Sequence, residues 1–222
     1  MKVVVTTGPS YEPVDEVRRL TNFSTGELGI MLAEKLAAAG FDVICLKGAG
    51  ATHPHHPAGA ELRPFTTNDD LFGQLKSLSQ TASVGAVFHV AALCDYKVKH
   101  VEAADGSRLP SSSAKIDSRG GPLTLVLEPA RKIIAELRPL FPRATLVGWK
   151  YELNDGRPEA LAKAWHQMRE NRTDACVLNG RGWGDGFAFC TPPDSIRELR
   201  GKSEVAAFLA QWLEQRLSAP AR

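Results

Sequence analysis

Residues 15–29 read Asp15-Glu16-Val17-Arg18-Arg19-Leu20-Thr21-Asn22-Phe23-Ser24-Thr25-Gly26-Glu27-Leu28-Gly29 and carry the most informative chemistry of the chain. They follow a strand-like opening, Val3-Val4-Val5-Thr6-Thr7-Gly8-Pro9, and lead into an amphipathic segment. A loop of small and hydroxyl residues that opens a helix presents unpaired backbone N–H groups. The helix dipole adds positive potential at the same place. Ser24, Thr25 and Gly26 there predict a site for a phosphate or a carboxylate. Asn22 adds a neutral side chain that both donates and accepts hydrogen bonds.

Such a loop needs a buried strand before it and a helix after it. Residues 2–6 predict that strand. Residues 25–39 predict the helix, with Leu28, Met31, Leu32 and Leu36 on one face and Gly40 as its C-terminal cap. Residues 41–46 read as a strand and 49–60 as a Gly/Pro/His loop. A helix over 69–78 is capped by Thr67 or Asn68, with Asp69 and Asp70 in its first turn. Residues 84–92 are almost free of polar side chains, as a central parallel strand should be. Residues 105–121 break the rhythm; polar and rich in Gly, Ser and Arg, they read as a mobile flap. Strands follow at 123–127, 145–149 and 175–178, with helices at 130–140 and 158–169. Residues 187–190 and 195–199 predict a short C-terminal hairpin, and 202–217 a closing helix. This alternation predicts an α/β fold with a mostly parallel sheet, residues 1–222 forming a single domain. In such sheets ligands bind beyond the carboxyl ends of the strands. Residues 8–22, 91–99, 149–152 and 179–186 therefore share one rim.

The whole-chain numbers bound the function classes. A chain of 222 residues, 43% hydrophobic and 23% charged, can bury one substantial core. A net charge of +2 without a long basic run argues against nucleic acid. No apolar stretch reaches membrane-spanning length, and Met1-Lys2-Val3 enters a strand with no signal peptide, so no membrane partner and a cytoplasmic location are expected. Cys45, Cys94, Cys176 and Cys190 lack paired spacing and read as buried reduced thiols. His53, His55 and His56 have a metal-binding composition, but a Pro-rich exposed loop is the stronger reading, and no metal site is expected.

The motifs, taken in order, resemble a known family. Thr7-Gly8-Pro9, Glu12-Pro13-Val14-Asp15, Val17-Arg18 and Thr21-Asn22-Phe23-Ser24-Thr25-Gly26 with Gly29 look like the opening of phosphopantothenoylcysteine synthetases. Ala91-Ala92-Leu93-Cys94-Asp95-Tyr96 resembles the family's Ala-Ala-Val-x-Asp-Tyr, and Lys115-Ile116 the start of its Lys-x-Lys-Lys. Val147-Gly148-Trp149 with Glu152 resembles Val-Gly-Phe-x-x-Glu, and Asp174 through Asn179 resembles Asp-x-x-x-x-Asn. The resemblance implies a Rossmann-like three-layer fold. It also implies a ligase that joins 4′-phosphopantothenate to cysteine through an acyl-nucleotide, in coenzyme A synthesis. CTP or ATP, with Mg²⁺, would be the co-substrate. It implies a homodimer, because the family's sites are shared between subunits. By the same resemblance Asn22 holds the carboxylate or acyl-nucleotide, and Lys115 closes over the site and assists the chemistry. Gly8, Ser24, Thr25, Gly26, Asp95 and Trp149 would bind nucleotide. Ala91, Ala92 and Asn179 would bind substrate, and Arg18 either substrate phosphate or a structural acid.

The departures fall on charges. Lys115-Ile116-Asp117-Ser118 loses two lysines of the family motif, and Gln167 and Asn171 stand where the family has helix lysines. Arg131, Lys132 and Lys150 are charges gained; they either replace the lost phosphate-binding lysines or stand as solvated residues at helix and strand ends. The alternative is a homologue that binds a nucleotide or phosphorylated metabolite without turnover. A nicotinamide-dependent oxidoreductase is disfavoured: Gly8 opens no G-x-G-x-x-G run, and His100, not lysine, stands four residues after Tyr96.

Overall fold

The computed structural model describes residues 1–109, 115–154 and 156–218. β1 (Lys2–Thr7) leads through two short strands, β2 (Tyr11–Pro13) and β3 (Arg19–Thr21), to helix α1 (Glu27–Ala38). β4 (Asp42–Gly48) and β5 (Glu61–Phe65) precede α2 (Asn68–Thr81) and β6 (Val84–His89). β7 (Tyr96–Glu102), β8 (Arg108–Leu109) and β9 (Thr124–Pro129) come next. They are followed by α3 (Ile133–Leu140), β10 (Thr145–Tyr151), α4 (Arg157–Asn171) and β11 (Ala175–Asn179). β12 (Phe187–Thr191), β13 (Ser195–Leu199) and α5 (Lys202–Ser218) complete the order.

Among the described residues the main sheet has eight strands, ordered β13-β12-β11-β10-β6-β1-β4-β5. Its six strands from β11 to β5 are parallel, and the β12–β13 hairpin adds an antiparallel edge. The expected three-layer α/β architecture is therefore observed. Val3 and Val5 of β1 face α1 and α5, while Val4 faces α2 and α3, and all three are fully buried. Burial on both faces is why β1 reads as an unbroken apolar run. The chain builds outward from β1 in one direction through β4 and β5, then returns to place β6 on its other side. The switch point lies between β1 and β6, and a crevice at their carboxyl ends is where this architecture binds ligands.

The contact between β1 and α1 depends on a small residue. A Cβ on Gly29 would lie 2.3 Å from both Cβ and Oγ1 of Thr7. Gly29→Ala is therefore expected to cost about 1–3 kcal/mol, the scale of overpacking a core. Urea denaturation checks this; an unchanged midpoint would mean that α1 moves aside freely.

The structure differs from the sequence reading chiefly between β6 and α3. β6 ends at His89, and residues 90–95 run on as extended rim rather than strand. The expected flap over 105–121 is only partly a loop. β8 lies within it and pairs with β7, which also pairs with β9 in a separate antiparallel sheet. A one-turn 3₁₀ helix spans Ser118–Gly120. Residues 110–114 of that flap lie outside the described residues. Among the described residues, no helix is long and apolar enough to cross a membrane.

Candidate functional site

The rim at the switch point is made by two extended segments laid side by side. Ala92 N–H donates to Gly8 O at 3.0 Å, and Ser10 N–H donates to Ala92 O at 3.2 Å. This continues the β1–β6 pairing past the strand ends. Cys94 N–H then donates to Ser10 Oγ at 2.8 Å. The Asn22 loop is fastened onto this rim: Thr21 Oγ1 donates to Ser10 O at 2.7 Å, and Asn22 Nδ2 donates to Leu93 O at 2.8 Å.

Close backbone approach explains the two glycines. Gly8 has φ +76° and Gly26 φ +79°, and a Cβ on Gly26 would lie 3.4 Å from Gly8 Cα. Both are buried, and Thr7 Oγ1 donates to Gly26 O at 2.9 Å. Gly8 and Gly26 thus bring the two loops together from below. The surface above is offered by Asn22, Ser24 and Thr25, which line a cavity of about 610 Å³ with Arg19, Tyr11 and the fully exposed Phe23. Gly26 is the N-cap of α1 and supplies no side chain, so the N-terminal N–H groups of the helix depend on other partners. Thr25 Oγ1 accepts from Glu27 N–H at 3.3 Å, and the Glu27 carboxylate is neutralised by Lys202.

A second, smaller cavity of about 170 Å³ opens on the other side of residues 91–95. Ala91, Leu93 and Asp95 form one wall, and Lys132, Trp149 and Gln167 line it further round. Leu93 joins the two cavities, since its carbonyl holds Asn22 and it lines the smaller one. Asp95 and Lys132 form an ion pair at this cavity. Trp149 O accepts from Gln167 Nε2 at 3.2 Å.

Several expected site residues are engaged elsewhere. Arg18 donates to Asp15 Oδ2 at 2.5 Å through Nη2 and at 3.0 Å through Nε, and to Ile116 O at 2.8 Å. Of the two roles left open for Arg18, the geometry matches the structural acid. Lys115 is exposed and precedes Ile116, which this pair holds; it lines neither cavity. Asn179 lies outside both cavities, and its carbonyl accepts from Glu152 N–H at 2.9 Å. Ala92 serves the rim through its backbone and lines neither cavity. The proposed replacement cations are already paired. Arg131 bridges Asp69 and Glu136 and stacks 4.1 Å over Phe72, and Lys150 pairs with Glu152 at 3.2 Å. A triphosphate would have to compete with those carboxylates.

Titration states follow from burial. Burial pushes the Cys94 thiol up, so it is a poor nucleophile at neutral pH, and Cys45, Cys176 and Cys190 are raised for the same reason. All four cysteines are free and buried, as expected. Burial lowers His89 from 6.5 to about 4, and the ring sits in the wall of the smaller cavity. Below its unfolded value the unfolded chain takes up a proton that the folded chain refuses. Stability is therefore expected to fall as pH drops from 6.5 towards about 4. Urea midpoints across that range, for wild type and His89→Gln, check it; equal slopes would remove His89 as the cause. Among the described residues, no group of three or more His, Cys, Asp and Glu side chains could hold a metal ion.

Sequence reasoning missed Arg19, Phe23, Asn68 and His89 as cavity residues. Phe23 stands inside a quoted motif and Arg19 directly follows the quoted Arg18, so both could have been included by proximity. His89 sits three residues before Ala92 at the end of an apolar run, where a lone histidine was the available signal. Nothing local distinguishes Asn68 from an ordinary helix cap.

Comparisons with known proteins bear on the family and the fold. A family profile described as the DNA/pantothenate metabolism flavoprotein C-terminal domain matches residues 1–207. The coenzyme A biosynthesis bifunctional protein CoaBC of Thermococcus kodakarensis is 30% identical over 179 residues, covering 80% of this chain and 41% of that protein. A cysteine/cysteine sulfinic acid decarboxylase from an unknown prokaryotic organism is 29% identical over 217 residues, covering 93% of this chain and 56% of that protein. The chain thus spans about half the length of the curated relatives it matches. Among solved structures, the DNA/pantothenate metabolism flavoprotein of Streptococcus pneumoniae superposes with a TM-score of 0.84 at 25% identity, over 97% of this chain and 99% of that one. With its profile matched across nearly the whole length, this chain belongs to the DNA/pantothenate metabolism flavoprotein C-terminal domain family.

Proposed function

We propose that the chain is a nucleotide-dependent ligase that joins 4′-phosphopantothenate to cysteine, as part of coenzyme A synthesis. The observation that carries this reading is the Asn22–Leu93 hydrogen bond. It fixes an amide side chain at the cavity that Ser24 and Thr25 also line, and it does so through Leu93, which lines a second cavity with Asp95 and Trp149. That layout suits two ligands that must react where they meet.

A carboxylate is a poor acyl donor. In the proposed first step its oxygen attacks the α-phosphorus of CTP or ATP; a P–O bond forms, the α–β anhydride bond breaks, and pyrophosphate leaves. In the second, the cysteine amine attacks the acyl carbon; a C–N bond forms, the bond from the acyl carbon to the phosphate oxygen breaks, the nucleoside monophosphate leaves with those electrons, and the amine nitrogen gives up a proton to water. Ser24, Thr25 and the α1 N–H groups would bind phosphate oxygens. Asn22 would donate to the acyl oxygen as charge develops on it. Asp95 and Trp149 would hold the nucleotide, Ala91 would bound the substrate, and Lys115 would offset charge on the departing phosphates. Mg²⁺ would neutralise phosphate charge. It would be held mainly by the triphosphate itself, as small divalent cations usually are, since the described residues form no cage for it. A cytoplasmic homodimer belongs to the same reading.

Incubation with phosphopantothenate, cysteine, Mg²⁺ and either CTP or ATP should release pyrophosphate over many turnovers, and omission of cysteine should leave at most one equivalent per active site, from acyl-nucleotide formation. No release with either nucleotide would overturn catalysis. A second reading, a homologue that binds without turnover, is favoured by the pairing of Arg131, Lys132 and Lys150 with carboxylates. Nucleotide binding without pyrophosphate release would select it.

A further inference from the structure

Cys176 and Cys190 are directly opposite partners across the antiparallel β11–β12 ladder. Opposite residues of such a pair project to the same face of the sheet, with Cα atoms about 4.5–5.5 Å apart. A disulfide spans Cα separations of about 4.4–6.8 Å. Both thiols are free and fully buried, and they share one packed cluster with Ala160, Ala164 and Met168 of α4. The other two cysteines are placed differently. Cys45 stands opposite Val5 and Leu62, and the Cys94 sulfur sits against the carbonyl oxygens of Ser10 and Leu20. The chain therefore holds one cysteine pair already in register for a bond.

Burial raises both thiols, Cys190 to about 11, and the neighbouring Cys190 sulfur adds to the rise at Cys176. In the closed fold neither offers a thiolate. Access comes from the place of β12 in the sheet. It lies one strand from the edge, and β13 outside it exposes Ser195 through Glu198. Terminal elements open locally at a lower free energy than central strands do. Separation of β12 from β11 hydrates both sulfurs together, and reclosure returns them to register. Gln167, which lines the smaller cavity, donates through Nε2 to Cys176 Sγ at 3.7 Å, so the pair lies one side chain away from that wall.

We propose that Cys176 and Cys190 are a redox site, a dithiol that a small-molecule disulfide oxidises to an intramolecular disulfide fastening the β12–β13 hairpin to β11. On opening, the Cys190 thiol loses its proton to solvent and the thiolate attacks one sulfur of oxidised glutathione. A protein–glutathione S–S bond forms, the reagent's S–S bond breaks, and one glutathione thiolate leaves and takes up a proton. The Cys176 thiolate, deprotonated in the same way, attacks the Cys190 sulfur and displaces the second glutathione. Two protein thiols are oxidised to one disulfide, and one reagent disulfide is reduced to two thiols. The closed ring of about fifteen residues restricts the unfolded chain, so the oxidised protein resists unfolding. The site is independent of the ligase reading.

The test is exposure of the full chain to oxidised glutathione, then acid quench, alkylation of free thiols and mass analysis. The expected product keeps two alkylatable cysteines of the four and weighs two hydrogens less before alkylation. Digestion should yield peptides joined through Cys176 and Cys190. The unfolding constant from urea denaturation should fall roughly a hundredfold on oxidation, and dithiothreitol should restore it. Cys176→Ala and Cys190→Ala should each form no internal disulfide, while the wild-type measurement stands without them. Four free thiols under conditions that oxidise the urea-unfolded chain overturn the proposal. So do a glutathione adduct as the end product, a bond that uses Cys45 or Cys94, and an oxidised chain that unfolds as readily as the reduced one.

Discussion

Asn22→Asp is expected to lower the ligation rate by about 10²–10³-fold, the loss that follows removal of one donor from a developing oxyanion. Asn22 is exposed at the cavity, and its amide reaches both the rim and the space where the substrate would sit. The substitution acts twice. It places a carboxylate where Nδ2 now lies 2.8 Å from Leu93 O, so two acceptors meet and the side chain must swing away. It also brings a negative charge towards phosphates and a substrate carboxylate. The fold should be little affected, because Asn22 buries nothing. Single-turnover pyrophosphate release, alongside thermal melting, checks both halves. Near-normal turnover with unchanged melting would remove Asn22 from the mechanism. Loss of melting as well would make the loop a structural element first.

The architecture was legible because its cause lies in local pattern. Val3, Val4 and Val5 cannot alternate when helices cover both faces of β1, and an unbroken apolar run says as much. The β12–β13 hairpin was legible from two short runs separated by turn residues. The small sheet of β7, β8 and β9 was not. Tyr96-Lys97-Val98-Lys99-His100-Val101-Glu102 is a half-exposed ribbon whose apolar residues are few, and its pairing partner β9 begins more than twenty residues later. Only the tertiary contact makes it a strand, since β propensity records neighbours more than backbone preference.

The site was legible where chemistry and backbone geometry coincide. Asn22, Ser24 and Thr25 stand together at a cavity because a helix must start after them. Gly8 and Gly26 were placed at the same rim, yet they pack beneath it: a Cβ on Gly8 would lie 2.7 Å from Ala51 Cβ and one on Gly26 3.0 Å from it, contacts that a local reading does not reveal. Charge was the least legible quantity. Arg131, Lys132 and Lys150 are cations near the rim in sequence, but Asp69, Asp95 and Glu152 meet them in space. The carboxylates that cancel a charge can come from distant segments, and a local reading cannot count them.

Asp15→Asn is expected to lower ligation about as much as Lys115→Ala does, with little change in nucleotide affinity. Asp15 Oδ1 accepts from Val17 N–H at 3.0 Å and Arg18 N–H at 2.7 Å, while Oδ2 accepts from Ile116 N–H at 3.0 Å as well as from the Arg18 guanidinium. Arg18 completes the clamp by donating to Ile116 O. One carboxylate thus ties the loop before Asn22 to the residue after Lys115, 101 positions away. Asparagine has one acceptor oxygen and an NH₂ group, so whichever way it turns, donors on one side face another donor. The Arg18 guanidinium beside Asp15 holds its carboxyl well below the usual carboxylate range. A depressed carboxylate contributes stability above its unfolded pKa and loses it as pH falls through the folded one. The clamp therefore stays charged at any neutral pH, and only the substitution opens it. A double-mutant cycle separates positioning from plain damage. If the clamp acts by placing Lys115, Asp15→Asn should add almost nothing to the defect of Lys115→Ala, because residues acting as one unit are not additive. Additive losses would make Asp15 a general stabiliser of the loop, and wild-type turnover in Asp15→Asn would show that Lys115 finds its place without it.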